Sequence, residues 1–186
     1  MNETLKTIAG RYSCRDFTGE PLTDEQIKAL VDAALAAPSA SNRMPWKIMV
    51  ITDKALIEDM DKDGVAIITA PDDPYGYRDR VLETGGRLYY NAPCMFLIVI
   101  DGSSYAPVDC GILCQNIALA AHSIGLASVI CGQARLALNG GRGDEFKKRL
   151  GYPEGYEFGI AVLVGEAKSG KAPHDHDNSK VSYVKP

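Results

Sequence analysis

The sequence predicts an α+β domain of three layers. Three observations carry that prediction. Strand-like apolar runs are separated by helix-like runs, without the strict regularity of a βαβ repeat. The segment Met95–Asp101 is almost continuously apolar and of strand length, as expected for a strand covered on both faces. The stretch Val108–Ile124 is small or apolar nearly all round, and such a helix is buried.

The elements follow in order along the chain. Asn2–Ala9 reads as a short helix. Thr23 opens the next helix, with Gln26 three residues on to complete a capping box. That helix carries Ile27, Leu30, Val31, Ala34 and Leu35 on one face, a 3.6-residue pattern, and Pro38 ends it. Trp46–Ile51 reads as a strand and Lys54–Met60 as a short helix. Within Asp61–Asp79, the stretch Ala70–Tyr77 mixes turn signals with aromatics, as either a mobile cover over a pocket or a surface loop. Arg78–Tyr90 is expected to be helical despite Gly85 and Gly86. Ala127–Cys131 is a strand, Asp144–Leu150 a helix stopped by Gly151, and Phe158–Val164 a strand. The tail 166–186 is polar until Val181–Val184, which reads as an extended arm with a β-prone end. The whole of 1–186 is expected to be a single domain, with no repeat and no low-complexity segment.

Composition narrows the function classes. A chain of 186 residues with 46% hydrophobic and 24% charged residues has the makeup of a soluble globular domain. A net charge of -4 argues against nucleic acid as the main partner, because phosphate backbones require basic surfaces. The apolar run Cys94–Ile100 is far shorter than the ~20 residues that span a bilayer, so no membrane partner is expected. Five cysteines, none in Cys-x-x-Cys spacing, and a polar opening without a signal-like segment point to a reducing, cytoplasmic setting. No resident metal is expected, since His174 and His176 lack a distant third ligand and Cys110 and Cys114 lack a neighbouring His.

Two segments carry candidate chemistry. In Gly10-Arg11-Tyr12-Ser13-Cys14-Arg15-Asp16-Phe17, residues Arg11, Ser13 and Arg15 alternate, so an extended backbone places them on one side. Two guanidiniums and a hydroxyl there make a phosphate grip, because Arg forms bidentate, charge-assisted bonds with phosphate oxygens. Ala37-Pro38-Ser39-Ala40-Ser41-Asn42-Arg43-Met44-Pro45-Trp46 joins an apolar helix to an apolar strand and holds the single Trp of the chain. Its hydroxyls and amides offer donors, and Trp46 offers a wall, to a flat, partly polar ligand. Each segment alone also reads as an ordinary surface stretch or connection. Gly-x-Gly-x-x-Gly and Walker A patterns are absent, so the sequence contains no dedicated nucleotide-binding motif.

In order and separation these segments resemble the nitroreductase-like FMN-dependent oxidoreductases. The likeness continues through Asn91-Ala92-Pro93, the helix Asp109–Gly125 and the Gly-rich finish Gly159–Gly165. The resemblance implies a three-layer α/β/α arrangement around a central mixed, mainly antiparallel sheet, in a domain-swapped homodimer. It implies FMN as cofactor, with Arg11, Ser13 and Arg15 on the phosphate and Tyr12 alongside. Pro38, Ser39, Ala40 and Asn42 would come from the other subunit to frame the ring. Cys131-Gly132 would pass its backbone beside the reactive flavin nitrogen, the alternative being that Cys131 is a small buried hydrophobe. Arg87 would approach the ribityl chain or pyrimidine edge, or else stand exposed on its helix. Lys171 or His174 would close on the phosphate, or belong to a solvated tail. Met44 stands where the family usually has Gln.

The activity implied is ping-pong transfer of hydride from diffusible NAD(P)H through FMN to a nitroaromatic, quinone or activated alkene. No side chain is assigned as a catalytic acid or base. Two other readings are a flavin store or redox sensor without turnover, and an enzyme that consumes reduced flavin as a substrate.

Overall fold

A computed structural model describes residues 1–72, 75–83, 85–173 and 175–185. One sheet organises them. Its strands are β1 (Trp46–Ile51), β2 (Cys94–Ile100), β3 (Ala127–Cys131) and β4 (Glu157–Gly165), in the order β1-β2-β4-β3. Their three pairings are antiparallel, running from Trp46 opposite Ile100, through Cys94 opposite Val164, to Ala127 opposite Gly165. A parallel bridge joins Ser13 to Ser128 at the free edge of β3.

The period-two geometry of a strand sends alternate side chains to opposite faces, and β2 uses both. Met95, Leu97 and Val99 enter one core cluster, while Cys94, Phe96, Ile98 and Ile100 enter the other. The first cluster is covered by α3 (Lys54–Ile68), α4 (Arg78–Glu83), α6 (Arg135–Asn139) and α7 (Gly143–Leu150). The second is covered by α2 (Asp24–Leu35) and α5 (Ala106–Ser123). The three layers follow from this division. The remaining helix, α1 (Glu3–Gly10), packs against α5.

The predicted capping box forms: Gln26 N–H donates to Thr23 Oγ1 (3.2 Å) and Thr23 N–H donates to Gln26 Oε1 (2.8 Å). The predicted stop of α7 also forms, with Gly151 at φ 61°. Three expectations are corrected. The short helix over Lys54–Met60 runs on to Ile68. Asp61 and Gly64 break its apolar pattern for tertiary reasons. The Asp61 carboxylate accepts the N–H groups of Leu88 and Tyr89 (2.8 and 2.9 Å), and a Cβ on Gly64 would lie 2.8 Å from Leu88. The helix expected over Arg78–Tyr90 stops at Glu83, because Gly85 and Gly86 take the left-handed backbone (φ 86° and 67°). Arg135–Asn139, not anticipated as a helix, is α6.

The apolar helix α5 is buried on one side through Leu113, Cys114, Ile117 and Ala121, and leaves Val108 and Ile112 exposed on another. Among the described residues of the arm, a single turn of 3-10 helix covers Asn178–Lys180, and Val181, Tyr183 and Val184 are exposed. No described helix is long and apolar enough to cross a membrane.

Candidate active site

The segment Arg11–Phe17 lies along the free edge of β3. Cys14 N–H donates to Ser128 O (2.9 Å), and Cys14 and Phe17 are buried. With Tyr12 and Cys14 packed on the core, Arg11, Ser13 and Arg15 fall on the other side of the extended chain, as their alternation predicts. Arg11 Nε is buried without a hydrogen-bond partner. An unpaired buried donor of this kind is rare, and a charged one is costly.

The start of the arm returns to the same segment. Thr18 N–H donates to Glu166 O (3.0 Å), Lys168 N–H to Asp16 O (3.0 Å), and the Tyr12 hydroxyl to Ser169 O (3.5 Å). Exposed Lys171 follows Ser169 by two residues along the chain. His174 lies outside the described residues.

Beside this strip is a cleft of about 320 Å³, lined by Arg15, Tyr90, Cys131, Gly132, Gln133 and Arg135, with Tyr75, Tyr77 and Arg80 around it. Arg15 hydrogen-bonds the Tyr90 side chain. Burial is the main cause that raises the Tyr90 hydroxyl above its ordinary value, and Arg15 opposes the rise. The cleft therefore unites Arg15 with Cys131 and Gly132, which stand far apart in the sequence. The Cys131 thiol faces inward, 3.8 Å from Leu88 O, and desolvation pushes it up to about 11. It is a neutral thiol at physiological pH, and the cleft meets exposed Gly132 at its mouth. Among the described residues between α3 and α4, Tyr75 and Tyr77 line the cleft, as the cover reading expects.

Two groups lie elsewhere in the chain. Arg87 sits on the turn after Gly86, donates to Asn91 Oδ1 (3.0 Å) and lines a separate hollow of about 570 Å³. Pro38, Ser39, Ala40 and Asn42 belong to a loop fastened to α5. Both carboxylate oxygens of buried Asp109 accept the Ala40 N–H (3.1 and 3.2 Å), and Ser39 Oγ accepts the Met44 N–H (2.9 Å). Ser41, Asn42 and Met44 all have positive φ (53°, 54° and 48°), a strained path for residues other than glycine. None of this loop lines the cleft. Trp46 does not wall a site, because it is buried in the core against α2 and α5. Its aromatic bulk at the start of β1 serves packing.

The sequence reading missed the cations Arg80 and Arg135 and the aromatics Tyr75, Tyr77 and Tyr90. No motif marks them. The available signals were the Tyr75–Tyr77 pair between α3 and α4, with Arg80 in the helix that follows, and Arg135 just after Cys131-Gly132; Tyr90 had none.

Comparison with known proteins bears on this geometry. A nitroreductase with bound FMN from Desulfitobacterium hafniense DCB-2 has the same fold at a TM-score of 0.94, with 49% identity across 100% of both chains. A nitroreductase with bound FMN from Bacteroides fragilis matches at a TM-score of 0.88 and 22% identity across both full chains, a likeness of fold alone. An NADPH-flavin oxidoreductase of Vibrio harveyi is 30% identical over 183 residues, which are 89% of this chain and 64% of that relative. The model of the Nitroreductase family matches residues 8–166. The chain belongs to the Nitroreductase family.

Proposed function

We propose that this chain is an FMN-dependent NAD(P)H oxidoreductase, acting as a homodimer on a nitroaromatic, quinone or activated-alkene acceptor. The observation that carries the reading is the orphaned, buried Nε of Arg11, on the same extended segment as Arg15, which lines the Cys131–Gly132 cleft. The phosphate of FMN would satisfy that donor with a charge-assisted bond, so the residues present fit the group. The FMN-bound relative at 49% identity and the NADPH-flavin oxidoreductase support the same cofactor and donor.

When bound, FMN supplies two-electron acceptance from NAD(P)H and delivery to the acceptor. The chain's own residues bind and orient. Arg11, Ser13 and Arg15 hold the phosphate, with Tyr12 packed beneath and Lys171 closing from the arm. The main chain at Cys131–Gly132 would lie beside the ring, where an N–H would favour negative charge. Tyr75, Tyr77 and Tyr90 exclude water and offer flat surfaces to an aromatic acceptor. Pro38, Ser39, Ala40 and Asn42 complete the site from a second copy. Their absence from the cleft of their own chain supports this, as do exposed Val108 and Ile112 on α5. In the same reading the domain spans 1–186, and the exposed Val181–Val184 end of the arm lies on the partner.

Titration of apo-protein with FMN, followed by flavin fluorescence, tests the grip. Arg15→Ala is expected to weaken binding by about 1.5–3 kcal/mol, roughly 10- to 150-fold. Unchanged affinity would remove Arg15 from the phosphate site.

A further inference from the structure

A second hollow, about 900 Å³, adjoins the cleft and shares Gly132 and Arg135 with it. It runs between α7 and the start of β4. Its cations are Arg135, Lys147 and Lys148; its carboxylates are Glu154 and Glu157. Arg135, Lys147 and Lys148 have no salt bridge among the described residues, whereas neighbouring Arg149 is paired with Asp59 at 3.1 Å. One tyrosine places one of these charges: Lys147 Nζ lies 5.9 Å from the centre of the Tyr152 ring. The last carbonyls of α7, which would repel an anion, are already occupied: Gly151 N–H donates to Lys148 O (3.2 Å) and Tyr152 N–H to Lys147 O (2.9 Å). In a chain of net charge -4, this groove beside the cleft thus holds three cations, none in a salt bridge among the described residues, against two carboxylates.

We infer that this groove receives the phosphate-bearing half of the reductant, with Arg135 at the pyrophosphate and Lys147 and Lys148 at a 2′-phosphate, so that the chain selects NADPH over NADH. The inference rests on the proposed function for the identity of the donor. Its chemistry is independent: a dinucleotide whose nicotinamide enters the cleft must extend its phosphates outward, and Arg135 stands at the junction. The pyrophosphate needs one cation there. Two further lysines are more than NADH requires and suit a third phosphate, which compact ammonium groups bind as point charges.

Isothermal titration of the FMN-reconstituted protein with adenosine 2′,5′-bisphosphate and with 5′-AMP tests the site without turnover. The bisphosphate is expected to bind about tenfold tighter, the scale of one charged hydrogen bond. In the Lys147→Ala/Lys148→Ala double variant that ratio falls to near one. Lys6→Ala/Lys28→Ala removes the same charge from the remote face and keeps the ratio. Equal affinity of the two nucleotides for the wild type, or equal loss in both double variants, overturns the inference. A circular-dichroism melt confirms that each variant is folded. If the bisphosphate binds through Lys147 and Lys148 but NADPH leaves bound flavin oxidised, the groove stands and the proposed oxidoreductase function fails.

Discussion

Asp109 holds the loop that this account assigns to the partner's site, and its removal has a calculable effect. Its buried carboxylate accepts the Ala40 N–H with both oxygens, at 3.1 and 3.2 Å. A hydrogen bond to a charged group contributes about 1.5–3 kcal/mol, and Asp109→Ala leaves the amide without that acceptor. A loss of about 2 kcal/mol in a domain of this size lowers Tm by about 4–8 °C. A second effect follows from the backbone. Ser41, Asn42 and Met44 are kept at positive φ only while the surrounding structure over-determines them. Released at Ala40, the loop relaxes and ceases to match a ligand, so FMN affinity falls as well. Asp109→Asn retains one acceptor oxygen and is expected to lose about half as much Tm. Calorimetry of apo-protein reads the first effect and fluorescence titration with FMN the second. A Tm unchanged within 1 °C in Asp109→Ala would refute the anchoring argument. A lowered Tm with unaltered FMN affinity would detach the loop from the flavin site.

Two further predictions concern titrating groups. Arg142, first through its hydrogen bonds to Asp59 (2.7 and 3.0 Å) and then with help from Arg149, holds the Asp59 carboxyl below its usual value. A depressed carboxylate stabilises the fold above its unfolded value and loses that effect as pH falls through the folded one. Wild-type Tm should therefore drop more steeply below about pH 4 than that of Asp59→Asn; parallel Tm–pH curves would contradict the pairing. The Cys131 thiol, raised to about 11 by burial, should be alkylated by iodoacetamide at pH 8 roughly a hundredfold more slowly in native than in urea-unfolded protein. Equal rates by peptide mapping would show that the thiol reaches the cleft.

What the sequence disclosed, and what it concealed, divides along physical lines. Local signals survived folding intact. The Thr23–Gln26 box, the strand lengths and the Gly151 stop each depend on residues within one turn or one pleat. The common side of Arg11, Ser13 and Arg15 was legible because alternation alone sets which side a residue faces. Signals whose meaning is tertiary misled. Asp61 and Gly64 look like helix breakers until Leu88 and Tyr89 are seen to need one as an acceptor and the other as space. Trp46, read as a ligand wall, is core. The aromatic wall instead comes from Tyr75, Tyr77 and Tyr90, whose convergence with Cys131 is created by the packing of α3, α4 and α6 on the sheet.

The central claim is that this chain binds FMN and reduces it with NAD(P)H. The visible spectrum of protein purified without added flavin, recorded before and after anaerobic addition of NADPH, tests it most directly. Flavin absorption that bleaches on addition of the nucleotide is the expected result. Protein that is colourless and takes up no FMN on reconstitution would contradict the cofactor, and bound flavin that stays oxidised would contradict the electron donor.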